Sequence, residues 1–287
     1  MQPLVTGFFD TATFTVSYVV QDPGSRACAI IDPVLDFDAA AGRTHTQSAD
    51  RIIAHIRAKE LQLQWLIETH VHADHITASP YLQEKLGGKI VIGEAVTTVQ
   101  KVFAEIFNTK SDFPPDGTQF DRLIKDGDKL PLGSLEFRAM HTPGHTPACM
   151  TYVIGDAAFI GDTLFMPDYG TARADFPGGE ARALYHSIQK ILALPPATRL
   201  FLCHDYLSPQ RKEYVWQTSV AAQKAENIHV HDGISEEAFV AMRKARDATL
   251  NMPALILPSV QINMRAGHFP PPEDNGVSYL KLPLNYL

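Results

Sequence analysis

The sequence predicts an α+β fold, and three observations carry that prediction. Short apolar runs bounded by turn residues alternate with segments of helical periodicity twice along the chain. Polar clusters rich in His and Asp fall at the ends of the apolar runs. Hydrophobic residues make up 45% of the 287 positions, enough for a substantial core. One domain over 1–287 is expected, with its core in about 1–227 and an extension, about 228–287, packed on it.

The runs "TFTVSYVV" and "ACAIID" flank the turn residues "DPGS" and read as a β-hairpin. "SADRIIAHIRAKE" follows with helical spacing, Ser48 as N-cap and Ile52, Ile53 and Ile56 as the apolar stripe. Strand "WLIET" comes next, then a helix over "SPYLQEKLG" with Pro80 in its first turn, strand "KIVIG", and a helix from Val96 to Phe107. From Asp128 the β pattern returns in "SLEFRAM", "CMTYVIG" and "AAFIG". The Gly- and Pro-rich but charged "PDYGTARADFPGGE" reads as an ordered loop. Helix "EARALYHSIQKILAL" then leads into strand "TRLFLC". Beyond 228 the pattern gives one helix, "SEEAFVAMRKARDATL", and an extended, proline-marked tail.

Composition narrows the partners. A net charge of −7 repels a phosphate backbone, so no nucleic acid is expected. No apolar run approaches the ~20 residues that span a bilayer. No basic region precedes the first apolar residues, so neither a membrane nor an export signal is indicated. Cys28, Cys149 and Cys203 stand far apart, which suggests neither a disulfide framework nor a thiolate cage; a reducing cytoplasm is the expected location. Cys203, inside "LFLC", reads as a small core residue rather than a nucleophile.

"ETHVHADHITAS" sets His70, His72, Asp74 and His75 directly after an apolar run. Alternate residues of a strand face opposite sides, so these four converge only from a loop at the strand end. Imidazole and carboxylate suit zinc, iron or manganese. His145 in "HTPGHTP", Asp162 in "FIGDTLF" and His204 in "LFLCHDY" also stand at strand ends or in turns. Seven such groups can build two adjacent sites: His70, His72 and His145 in one, Asp74, His75 and His204 in the other, with Asp162 bridging. His45, His55, His186, His229, His231 and His268 stand alone and read as surface or core residues; His141 lies in a turn and is left out.

In these motifs, "THVHADH", "GHTP", "GDTLF" and "CHDY", the chain resembles the metallo-β-lactamase superfamily, which implies an αββα sandwich with metal at one edge of the two sheets. Through "GTARADF", "EEAFVAMR" and "INMRAG" it is most similar to the bacterial persulfide dioxygenases, relatives of glyoxalase II. That resemblance implies one Fe(II) per chain held by His70, His145 and Asp162, with His72, Asp74, His75 and His204 orienting the ligands and handling protons. It implies glutathione persulfide and O2 as substrates, sulfite and glutathione as products, Arg173 and Tyr206 as substrate contacts, and a homodimer by family analogy. The loop from Asp162 to Arg173 is longer by "MPDYG" than in animal and plant members, and Ala174 stands where cysteine is expected in many bacterial relatives. Because all seven positions are filled, a two-zinc hydrolase of the glyoxalase II type stays open. A non-catalytic scaffold would have no need of them.

Overall fold

The computed structural model describes residues 2–109 and 113–286. The first half runs β1 (Leu4–Phe9), β2 (Val16–Gln21), β3 (Ala27–Ile31), β4 (Val34–Asp38), β5 (Arg43–His45), α1 (Gln47–Ala58), β6 (Gln62–Ile67), β7 (Ile76–Thr77), α2 (Ser79–Leu86), β8 (Lys89–Gly93), α3 (Val96–Ile106) and β9 (Arg122–Ile124). The second runs β10 (Lys129–Leu132), β11 (Leu135–His141), β12 (Met150–Ile154), β13 (Ala157–Phe159), α4 (Ala181–Leu192), β14 (Arg199–Phe201), β15 (Gln217–Ser219), α5 (Val220–Glu226), α6 (Glu236–Asp247) and α7 (Ile256–Asn263). One sheet is ordered β1-β2-β3-β6-β8-β9 and the other β10-β11-β12-β13-β14-β15. A small third sheet joins β5, β4 and β7.

Three apolar clusters explain why the central strands are apolar on both faces. Tyr18, Val20, Ala29, Ile31, Ile67 and Val91 turn inward to meet Phe137, Tyr152, Phe159 and Phe201 of the other sheet. Their chain neighbours Val19, Cys28, Ile30, Leu66 and Ile90 face outward against residues of α1, α2, α3 and α7. On the far side, Ala158, Leu200 and Leu202 pack on α4, α5 and α6. Strands covered on both faces read as unbroken hydrophobic runs rather than alternating ones. The four layers are therefore the expected αββα sandwich.

Two expectations are corrected. Ser48 is not the N-cap of α1: the helix begins at Gln47, and Ser48 donates its N–H and hydroxyl to Asp36 at 2.9 and 2.6 Å. A carboxylate from β4 thus satisfies the helix start that a local side chain was expected to serve. Nor is the tail extended throughout. α7 spans 256–263, its Pro258 sits in the first turn where no intrahelical N–H is needed, and Ile256 and Val260 are buried in the first cluster. Each such fully buried side chain contributes about 1.5–3 kcal/mol. The hairpin, "SPYLQEKLG", "KIVIG" and the α4 helix form as expected. The strands β1, β9 and β15 and the small sheet were not anticipated. No helix among the described residues is long and apolar enough to cross a membrane.

Candidate metal centre

Paired strands deliver the site. β3 and β6 run parallel, as do β13 and β14, so their carboxyl ends open on the same edge of the sandwich. Asp32 stands one residue past β3 with φ 48°, and its carboxylate accepts the Thr69 N–H at 2.7 Å and the Thr69 hydroxyl at 2.8 Å. This pins the start of the loop that carries His70, His72, Asp74 and His75. From the far side, the Asn263 amide of α7 donates to the carbonyls of His72 and His75 at 2.9 and 2.7 Å and accepts the Thr77 N–H. Two glycines are required by contact. A Cβ on Gly144 would lie 2.3 Å from the Leu184 backbone, and one on Gly161, at φ 50°, would meet the Thr69 hydroxyl at 2.7 Å. Their absent side chains let His145 and Asp162 approach the loop.

Every histidine of the cluster spends one ring nitrogen on a structural partner. His70 Nδ1 lies 3.0 Å from the Thr69 hydroxyl, whose own proton goes to Asp32. His145 Nδ1 donates to the Arg173 carbonyl at 2.8 Å and His204 Nδ1 to the Phe14 carbonyl at 3.3 Å. His75 Nδ1 donates to Asp74 at 3.0 Å, and His72 Nε2 to Asp32 at 3.0 Å. The opposite nitrogens of His70, His72, His75 and His204, with Asp162 Oδ1, are buried without a hydrogen-bond partner. Buried polar atoms left unbonded carry a desolvation cost of about 1–3 kcal/mol each. Gathered at one place, they are atoms of the kind that could hold a metal ion, with the ring tautomers fixed from outside. The ligand atoms of His70, His145 and Asp162 lie within 4.8 Å of one another, as do those of His72, Asp74 and His75.

Charge divides the cluster. Burial, with His72 and His145 beside it, holds His70 well below the ordinary imidazole range; burial also lowers His145, outweighing the pull of Asp162. Burial would lower His72 too, but the Asp32 carboxylate and then Glu68 raise it well above that range. His204 is likewise raised against burial, to about 9, by Asp162 and Asp74. Burial would raise Asp74, yet His204 and His75 hold it well below the usual carboxylate value.

A cavity of about 360 Å³ opens onto Asp74, His145 and Asp162, with Phe165, Tyr169, Phe176 and Leu250 among its walls. Tyr206 lines it, stacked on His204 at 5.2 Å and 15°. Burial, then Asp162 and Asp74, push its phenol well above the ordinary value, so it keeps its proton. Arg173 lines it too, but its guanidinium is forked onto Asp175 at 2.6 and 2.7 Å and bonds the Asn251 carbonyl. Arg243 is closed on Asp247. Arg246, which the sequence reading did not single out, is exposed on the cavity wall, and no carboxylate pairs with it among the described residues. Asp32, Glu68, Thr15 and Asn263 were also missed. All but Glu68, which opens the "ETHVHADHITAS" stretch itself, sit far from that cluster in sequence and carry no motif of their own; only "INMRAG" hinted at Asn263. Cys203 is buried, its thiol raised by burial and by Asp32, as a core residue should be. Arg265 is buried and stacks over Phe113 at 4.6 Å, away from the cavity.

The sequence pattern of the metallo-beta-lactamase superfamily matches residues 10–204. A probable metallo-hydrolase of Burkholderia pseudomallei is 60% identical over 98% of this chain and 99% of its own length. Glyoxylase B2 of Dictyostelium discoideum is 46% identical over 98% and 96%. The human mitochondrial persulfide dioxygenase is 34% identical over 71% of this chain and 68% of its own. Among solved structures, ETHE1 from Myxococcus xanthus superposes with a TM-score of 0.73, at 30% identity, over 92% of this chain and 100% of that one.

Proposed function

We propose, from the premise that the chain belongs to the metallo-β-lactamase superfamily, that it is a persulfide dioxygenase with one ferrous ion held by His70, His145 and Asp162. The observation that carries this reading is the state of Asp74. Its Oδ2 already has His75 Nδ1 at 3.0 Å, the Thr15 hydroxyl at 3.2 Å and His204 Nε2 at 3.3 Å around it. That oxygen is engaged by two hydrogen bonds and the His204 ion pair without a second ion. Held by these two imidazoles and the carboxylate, Fe(II) would supply the redox change that dioxygen chemistry requires.

The protein's own groups then have distinct tasks. His204, cationic between Asp74 and Asp162, holds a proton beside both carboxylates. Tyr206 keeps its phenolic proton to donate a hydrogen bond to a substrate atom in the cavity. Asp32 fixes both His70, through Thr69, and His72. Phe165 and Phe176 exclude water from the reacting sulfur. Arg246 offers its guanidinium to a carboxylate of glutathione, the task expected of Arg173, whose fork is occupied. Overall, glutathione persulfide, O2 and one water give glutathione, sulfite and two protons.

A second reading, a two-metal hydrolase of the glyoxalase II type, is favoured by the unbonded His72 Nδ1, His75 Nε2 and His204 Nε2 and by the likeness to glyoxylase B2. One measurement separates them. Protein from iron-replete cells should hold about one iron per chain and consume O2 only when glutathione persulfide is added, releasing sulfite. Two zinc ions per chain, with cleavage of S-lactoylglutathione and no O2 uptake, would reverse the assignment.

A further inference from the structure

The cavity carries a polar wall group to which the proposed reaction gives no task. Tyr169 lines it beside Phe165 and Tyr206, and its hydroxyl bonds no other described residue. The residue belongs to the "MPDYG" turn, 166–170, which is closed by its own backbone. The Tyr169 and Gly170 N–H groups both go to the Met166 carbonyl, at 2.8 and 3.0 Å, and the Phe165 N–H goes to the Gly170 carbonyl at 3.0 Å. A single guanidinium then fixes the turn from outside. Arg211 Nε donates to Asp168 at 2.7 Å, where the Ser208 hydroxyl also donates, while the Arg211 fork holds the buried Asp205 at 2.6 and 2.5 Å. Arg211 thereby ties the turn that carries Tyr169 to the segment that carries His204 and Tyr206.

The result is a run of three rings. Tyr206 lies 5.2 Å from His204 on one side and 5.2 Å from Tyr169 on the other, the latter at 34°, and Phe165 meets Tyr169 edge-on at 5.8 Å. Tyr169 thus stands one ring further out along this run than Tyr206. Phenylalanine serves as wall at Phe165 and Phe176; a phenol adds a hydrogen-bonding tip to the same kind of ring. We infer that Tyr169 is a specificity-determining residue whose phenol donates to the peptide portion of a thiol tripeptide, with the Asp168–Arg211 pair positioning it. This rests on the reading above, in which the substrate sulfur lies at the metal centre. The peptide arms then extend outward past Tyr206, and their carbonyls and carboxylates are acceptors for the phenol.

Isothermal titration of the full chain, purified with its metal, by glutathione tests this in Tyr169→Phe and Asp168→Ala. Tyr169→Phe keeps the ring, so its thermal midpoint should hold while its dissociation constant rises about threefold to tenfold, the worth of one neutral hydrogen bond. A ring that only packs would leave the affinity unchanged. Asp168→Ala leaves Arg211 on Asp205 and frees the turn, so affinity should fall by a similar factor with metal content unaltered. An unchanged dissociation constant in Tyr169→Phe overturns the contact, as does a wild type that binds no glutathione at millimolar concentration. An unchanged one in Asp168→Ala overturns the positioning; should that variant fail to fold, Tyr169→Phe still decides the contact. Oxygen uptake with glutathione persulfide reports the reaction and this titration reports the contact, so the two can fail separately.

Discussion

The two halves of the histidine cluster are built from the same residue types and differ in what stands behind them. His70 and His145 are backed by a hydroxyl and a carbonyl, and burial keeps both imidazoles neutral with a lone pair turned inward. His72 and His204 have carboxylates against them, Asp32 and Glu68 for one, Asp74 and Asp162 for the other, and those charges favour the imidazolium. Without an ion, the two neutral imidazoles offer a lone pair at once, whereas the two beside carboxylates would first have to give up a proton to bind one.

The largest effect should come from the first half. His145→Ala should remove both metal retention and turnover, a loss beyond the roughly 10–100-fold that follows removal of an outer partner. Metal analysis of the purified variant checks this, and full iron content with normal O2 uptake would break the comparison at its strong end. The second half should respond differently. Asp74→Asn keeps the volume but removes the charge that holds His75 and His204. It is expected to retain about one metal per chain and to lose about 10–100-fold in rate, the magnitude of an orienting group. A fall from two metals to one in that variant would show that the halves are alike.

Much of this was legible in the sequence because strand ends carry the ligands and strand runs carry the core. The sandwich, the hairpin, α4 and the seven metal-type residues could all be read from local pattern. What could not be read depends on contacts between distant segments. Asp32 is one aspartate at the end of "ACAIID" until β3 lies beside β6 and its carboxylate meets Thr69 and His72. Asn263 belongs to a helix disguised by two prolines. Arg173 and Arg246 look equivalent as cations, and only the placement of Asp175 tells which of them arrives neutralised.

That last distinction yields a smaller effect. Arg246→Ala should raise KM for glutathione persulfide about tenfold, equivalent to ~1.4 kcal/mol, with kcat nearly unchanged because the contact is made equally before and during reaction. Arg173→Ala should change KM less, since its fork serves Asp175 and the Asn251 carbonyl. Steady-state kinetics on both variants decides, and a larger KM effect at Arg173 would return the substrate contact to it.

The smallest effect extends the contrast to a histidine outside the metal centre. His229 is half-buried, and burial first, then Arg243 and Arg246, lower its imidazole from 6.5 to about 4. Its Nδ1 accepts the Thr171 N–H at 3.0 Å, so the folded state requires the neutral ring. Between about pH 6.5 and 4 the unfolded chain therefore binds more protons at this position than the folded one. The stabilisation is complete above pH 6.5 and is lost as the pH falls toward 4. His229→Asn keeps an acceptor near Nδ1 and removes the titration, so its urea midpoint should decline less than that of the wild type between neutral pH and pH 5. Equal declines would mean that cationic neighbours do not lower this imidazole as carboxylate neighbours raise His72 and His204.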